Sequence, residues 1–114
     1  MKDGDGRVDG LLADLARTLA EARGLAARGH AAYLDDSALP LAFEALSNRI
    51  GDVAKKLVVS DPDRFHQSIW SLAARNRDFV VHQYNRVDVD LLWNTVVKDF
   101  PELARVVAHE LGTP

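Results

Sequence analysis

Apolar residues return along the first quarter of the chain at steps of three and four. Val8, Leu11, Leu12, Leu15, Leu19, Ala22 and Ala26 form one stripe, with Asp14, Arg17, Glu21 and Arg28 mostly elsewhere. That spacing is the repeat of an amphipathic helix and predicts a first helix over about residues 7–28, ended by Gly29. After the break at Asp35-Asp36-Ser37 the period resumes through Leu39, Phe43, Leu46, Ile50, Val53 and Leu57. Pro40 is tolerable in the first turn of this second helix, where its missing N–H would have had no intrahelical partner. Ser60-Asp61-Pro62-Asp63 reads as a turn, and Phe65, Ile69 and Leu72 open a third helix that continues into the segment Arg77 to Tyr84. Asp88 is placed to cap a fourth, with Leu91, Leu92, Thr95 and Val96 on its inner face. A fifth starts at Pro101 and runs through Leu103, Val106, Val107 and Leu111.

No window alternates as a strand would. The pairs Val58-Val59, Val80-Val81 and Val96-Val97 are too short to outweigh the helical period around them. The pattern therefore predicts an all-α fold, an up-and-down antiparallel bundle of four to five helices joined by short connections. At 114 residues and 12.6 kDa there is room for one core, expected over residues 7–112 behind a mobile N-terminus of residues 1–6.

Composition narrows the chemistry. The absence of cysteine removes disulfides, thiolate nucleophiles and cysteine-bearing metal sites. His30, His66, His82 and His109 never fall three or four apart, so no zinc site is supported, and no glycine loop cradles a phosphate. Asp3, Asp5 and Asp9 resemble the start of a calcium loop, but Val8 stands where such a loop requires glycine. No cofactor is expected. The first residues lack an apolar stretch of signal-peptide type and no apolar run is long enough to span a bilayer, which points to the cytoplasm. Net charge is −3. From Arg64 to Arg86 the sign reverses: Arg64, Arg75, Arg77 and Arg86 stand against Asp78 alone, a local +3. Such a patch could hold a few phosphates on an otherwise acidic body; it is equally compatible with ordinary solvated surface.

Chemistry concentrates in Arg77-Asp78-Phe79-Val80-Val81-His82-Gln83-Tyr84. Arginine grips phosphate as a fixed bidentate cation, and histidine both takes and gives a proton near neutrality. Asp78 and His82, four apart, share a helix face, whereas Arg77 and His82, five apart, diverge by about 140° on a regular helix. They meet on one substrate only if the helix ends, bends or is completed by a second copy. The same residues also suit an inert bundle, with Arg77 and Asp78 on the surface, His82 a satisfied buried histidine and Tyr84 a packing aromatic.

From Trp70 through Tyr84, on through Val87-Asp88-Val89-Asp90-Leu91-Leu92-Trp93 and Asp99-Phe100-Pro101-Glu102-Leu103, the sequence resembles the HepT-like family of the HEPN superfamily. The likeness covers about residues 8–111 and rests on an Arg-x4-His-x-Tyr motif followed by a Val-Asp turn, a Leu-Trp helix and an Asp-hydrophobic-Pro-Glu-Leu segment. What it implies is a metal-independent ribonuclease acting as a homodimer, the motif of each copy lining a shared cleft. Arg77 and His82 would be catalytic, Asp78 would orient one of them, and Arg75, Asn76 and Arg86 would contact RNA phosphates. Arg75-Asn76 is an alternative to Arg77-Asp78 as the working pair. Family members are often toxins partnered by a minimal nucleotidyltransferase antitoxin that adds AMP to the motif tyrosine, here Tyr84. The rival expectation is a non-catalytic dimeric helical module that binds a nucleotidyltransferase or a nucleotide.

Overall fold

A computed structural model of the chain describes residues 3–82 and 88–112, with side chains over 6–75 and 88–112. All regular structure among the described residues is helical: α1 (Asp3–Ala26), α2 (His30–Asp35), α3 (Ala38–Ser60), α4 (Ser68–His82), α5 (Val89–Asn94), a π-helical turn (Thr95–Asp99) and α6 (Phe100–Glu110). The all-α bundle is as the hydrophobic pattern predicts. α3 packs most extensively on α4, its antiparallel neighbour across residues 61–67, and next on α1, which in turn packs on α6.

The stripes read from sequence form the core. Leu12, Leu15, Leu19 and Ala22 of α1, Phe43, Ile50 and Leu57 of α3, and Leu92, Val96, Leu103 and Val107 of the C-terminal helices are all buried. Across α1 and α3, Arg49 donates to both oxygens of Asp14 at 2.8 and 2.7 Å, and Arg17 donates to the same carboxylate at 2.8 Å. The Arg49 hydrogen bond holds the Asp14 carboxyl below the usual carboxylate range, against burial, which acts the other way.

Four details depart from the sequence pattern. α1 ends at Ala26, and the chain turns through Gly29, whose φ of 98° lies in the left-handed region that favours glycine. The short α2 was not expected; only Tyr33 of its six residues is buried, too little for a periodic signal. α4 begins at Ser68, not at Phe65, because Phe65 belongs to the preceding turn, its N–H donating to the Asp61 carbonyl at 3.0 Å. Leu72, expected inside, is 41% exposed. The Asp88 cap, by contrast, forms as expected: its Oδ1 accepts from the N–H groups of Asp90 and Leu91 at 3.1 and 3.0 Å.

α6 starts at Phe100 with Pro101 in its first turn, as the sequence predicts, but it is not detached from α5. The chain runs from α5 into α6 through the π-helical turn, in which the Phe100 N–H donates to the Thr95 carbonyl five residues back. Proline lacks the donor that an α ladder needs, and its ring crowds the carbonyl four residues earlier, so a wider turn just ahead of it relieves the conflict without breaking the rod.

Candidate functional site

The motif helix α4 is fixed at its start by an indole. Trp70 is fully buried, its Nε1–H donates to Gln67 Oε1 at 2.9 Å, and its ring meets Phe65 edge-on with centroids 4.9 Å apart. Its own backbone N–H donates to the Gln67 carbonyl at 3.1 Å, so Gln67 holds the first turn through both side chain and backbone. From this anchor a single α-helix runs to His82 and carries Arg75, Asn76, Arg77, Asp78 and His82. Arg75 is exposed. The side chains of Asn76, Arg77, Asp78 and His82 lie outside the described residues, and so do Tyr84 and Arg86 altogether.

The chain is fixed again just past the motif. Tyr33, 1% exposed, donates its phenolic hydrogen to the Val89 carbonyl at 2.8 Å, and its ring packs against Phe43 and Trp93 at 4.9 and 5.0 Å. α2 therefore contributes one side chain that ties the start of α5 to the core. Burial, with the nearby charges of Asp90 and Asp88 adding to it, pushes the Tyr33 phenol up to about 12. A folded-state value above the unfolded one of about 10 favours the folded state while the phenol is protonated in both. That contribution is complete below pH ~10 and is lost as pH rises toward 12. In a spectrophotometric titration Tyr33 should ionise well after a free tyrosine, with denaturant stability falling over the same interval, and Tyr33→Phe should remove that tyrosine-linked part of the fall. Asp88→Ala, which strips the α5 cap, should lower stability by about 1 kcal/mol in urea denaturation.

The charge around α4 differs from its linear count. Arg64 donates from Nε to Glu110 Oε1 at 2.8 Å and from its terminal nitrogen to the Glu110 carbonyl at 3.1 Å, and it lies over the Phe65 ring. It clamps the end of α6 to the turn before α4 and is not the phosphate-facing cation that the local +3 suggested. Between α4 and α6 lies a groove of about 500 Å³ floored by Ile69, Leu72, Leu103 and Val106 and edged by Asp99 and Glu102. No cluster of three or more His, Cys, Asp or Glu able to hold a metal occurs among the described residues, nor is any described helix long and apolar enough to cross a membrane.

On α3, Ser47 Oγ and Asn48 Oδ1 are buried and lack a hydrogen-bond partner among the described residues. Gly51, one turn on, is also buried. Sequence reading passed over these three, as it did Tyr33 and Gln67; nothing in a helical period marks a small or polar residue as buried.

The chain was also compared with known proteins. Residues 15–110 match the family model described as ribonuclease HepT-like. A protein of Caldanaerobacter subterraneus subsp. tengcongensis, provisionally named an RNase, is 29% identical over 79 residues, which is 69% of this chain and 70% of that one. A protein of Thermococcus cleftensis, named a probable ribonuclease HepT, is 44% identical over 55 residues, 47% of this chain and 49% of the relative. No solved structure matches at a comparable level of significance. With the family model covering most of the helical bundle, including the whole of the motif helix, the chain belongs to the HepT-like ribonuclease family.

Proposed function

We propose that this protein is a metal-independent ribonuclease that cleaves RNA in a cleft formed between two copies of the chain. The observation that carries the reading is the unbroken course of α4 from Ser68 to His82, within a chain of this family. A straight helix keeps Arg77 and His82 about 140° apart, so one copy cannot readily turn both onto one phosphate. Two copies can, each supplying part of the site.

In this reading His82 acts as general base on a ribose 2′-hydroxyl or as general acid to the leaving oxygen, both forms being accessible to an imidazole near neutral pH. The 2′-oxygen forms a bond to phosphorus as the bond to the 5′-oxygen breaks, leaving a cyclic phosphate on one product and a hydroxyl on the other. Arg77 stabilises charge on the phosphate and Asp78 orients Arg77 or His82. Arg75, exposed on α4, contacts a neighbouring phosphate together with Asn76 and Arg86. The working pair is Arg77-Asp78 rather than Arg75-Asn76, because the distance from Trp70 to Tyr84 and the Arg-to-His spacing then both fit the family.

The protein further acts in the cytoplasm as a toxin restrained by a minimal nucleotidyltransferase antitoxin, with Tyr84 as the acceptor of AMP. An added nucleotide beside the cleft brings bulk and negative charge to the place where an RNA phosphate must sit. The purified, unmodified protein should cleave tRNA or mRNA in the presence of EDTA and leave cyclic phosphate ends. Absence of cleavage would favour the non-catalytic dimeric module instead. After co-expression with a neighbouring nucleotidyltransferase, intact-mass and peptide spectra should place one AMP on Tyr84; AMP only elsewhere would dismiss that assignment.

A further inference from the structure

We propose that the cavity between α1 and α6 binds a small amphiphile, an unbranched carboxylate of medium chain length, with its head on Arg23 and its tail laid toward Ala16 and Ala108. The site is separate from the motif helix and does not rest on the ribonuclease reading. Its volume is about 470 Å³, within the size range of small-molecule sites. One wall is α1, the other is the π-helical turn with α6, and the lining is apolar apart from a single cation.

That cation is the first observation. Among the described residues that line the cavity, only Arg23 is charged. The residues three and four away from it on α1, Leu19, Ala20, Ala26 and Ala27, line the cavity as well, so Arg23 stands within that face and meets no carboxylate along its own helix. Across the cavity stand Val97, Pro101 and Ala104, while Asp99 and Glu102 line the other groove, toward α4. The Arg23 guanidinium accordingly has no hydrogen-bond or ion-pair partner among the described residues, whereas Arg17, Arg49, Arg64 and Arg105 each hold a carboxylate. A lone guanidinium beside apolar walls complements a carboxylate carried on an apolar body.

The second observation is shape. His30, just past α1, meets Trp93 of α5 with ring centroids 4.9 Å apart, so α1 runs antiparallel to the rod from α5 to α6. Arg23, in the last turn of α1, therefore lies toward the start of that rod, and the cavity continues away from it to Ala16 and Ala108. From Arg23 to Ala16 is about 10 Å of helix, the reach of a chain of roughly eight to ten carbons. Alanines at 16 and 20 on one wall and at 104 and 108 on the other leave this channel open above buried Leu19 and Phe100. A macromolecule fits less well, since a stable protein interface needs roughly 800 Å² on each partner. The most exposed large apolar residues, Leu34, Leu41 and Val59, belong to α2 and α3, and none of them lines this cavity.

Sodium decanoate serves as the probe, with decanol and decyltrimethylammonium as its uncharged and cationic counterparts, and no readout involves RNA. In methyl spectra of the whole protein labelled at alanine, the signals of Ala16, Ala20, Ala104 and Ala108 should shift and saturate with decanoate. The melting temperature should rise with its concentration, because a ligand bridging α1 and α6 binds only the folded state. Decanol and decyltrimethylammonium should bind more weakly, and Arg23→Gln should weaken decanoate about tenfold while leaving decanol unchanged. Ala104→Phe should fill the channel and abolish binding; if thermal unfolding shows that variant unfolded, Ala20→Met takes its place. The proposal is overturned by the absence of saturable shifts, by shifts centred on Ala73 in the groove toward α4, or by equal affinity for decanoate and decanol. A dimer split by Ala104→Phe, with these methyls shielded from a soluble paramagnetic agent in the free protein, would place a second copy in the cavity and overturn it as well.

Discussion

His82→Ala is expected to lower RNA cleavage by about 10²–10⁴-fold, the usual contribution of a positioned general acid or base, while leaving the thermal unfolding curve in place. The stability half of this expectation follows from where the residue lies. Position 82 is the last of α4, where alanine, a strong helix former, costs the helix little. Single-turnover cleavage of a short RNA, with circular dichroism melts of both proteins, separates loss of chemistry from loss of fold. A variant that cleaves as fast as the wild type would remove His82 from the reaction. Mixing His82→Ala with Arg77→Ala adds a test of the shared cleft. If each site draws Arg77 and His82 from different copies, mixed dimers contain one intact and one doubly damaged site, and part of the activity returns.

Trp70→Ala should be the most damaging single change to the fold, costing about 3–5 kcal/mol. The indole is fully buried, its N–H is satisfied by Gln67, and Phe65 rests edge-on against it. Truncation opens a cavity and removes the bond to Gln67 that fixes the turn where α4 begins. For a domain of this size the melting temperature should fall by roughly 15 °C or more, and the urea midpoint should fall in step. Trp70→Phe, which keeps a ring and loses the donor, should lie between. A Trp70→Ala protein as stable as the wild type would show that α4 is held by its later turns instead.

The two long helices could be read from sequence because each buries one face against a single layer, and a burial stripe of that kind leaves an uninterrupted period. Asp88 was readable for a different reason: a cap acts through its own backbone neighbours, so its chemistry is local. α2 was not readable. Six residues cannot carry a period, and it is held by the Tyr33 hydroxyl on the distant Val89 carbonyl and by Phe43 and Trp93 around the ring. Leu72 was misplaced because helical spacing gives a residue's angle and not what lies opposite, here an open groove toward α6. Arg64 was counted with the motif arginines for the same reason; only tertiary structure brings Glu110 to it. Of the candidate site, sequence supplied the reactive residue types and their helix, while Gln67, which fixes the first turn of that helix through the Trp70 indole, carries no linear signal.

The π-helical turn at Thr95–Asp99 lets the rod from α5 to α6 hold one residue more than a plain α-helix would keep in phase. Leu92, Val96 and Phe100 succeed one another in steps of four, which on a plain α-helix would carry Phe100 about 80° around from Leu92. The wider turn takes up that surplus, and all three are buried. Deleting one residue here would leave Leu92 and Phe100 seven apart, within about 20° of alignment on a plain α-helix, so α6 should keep its face toward α1 and Glu110 its reach to Arg64, whereas the same deletion in a regular stretch of helix would turn everything beyond it by about 100°.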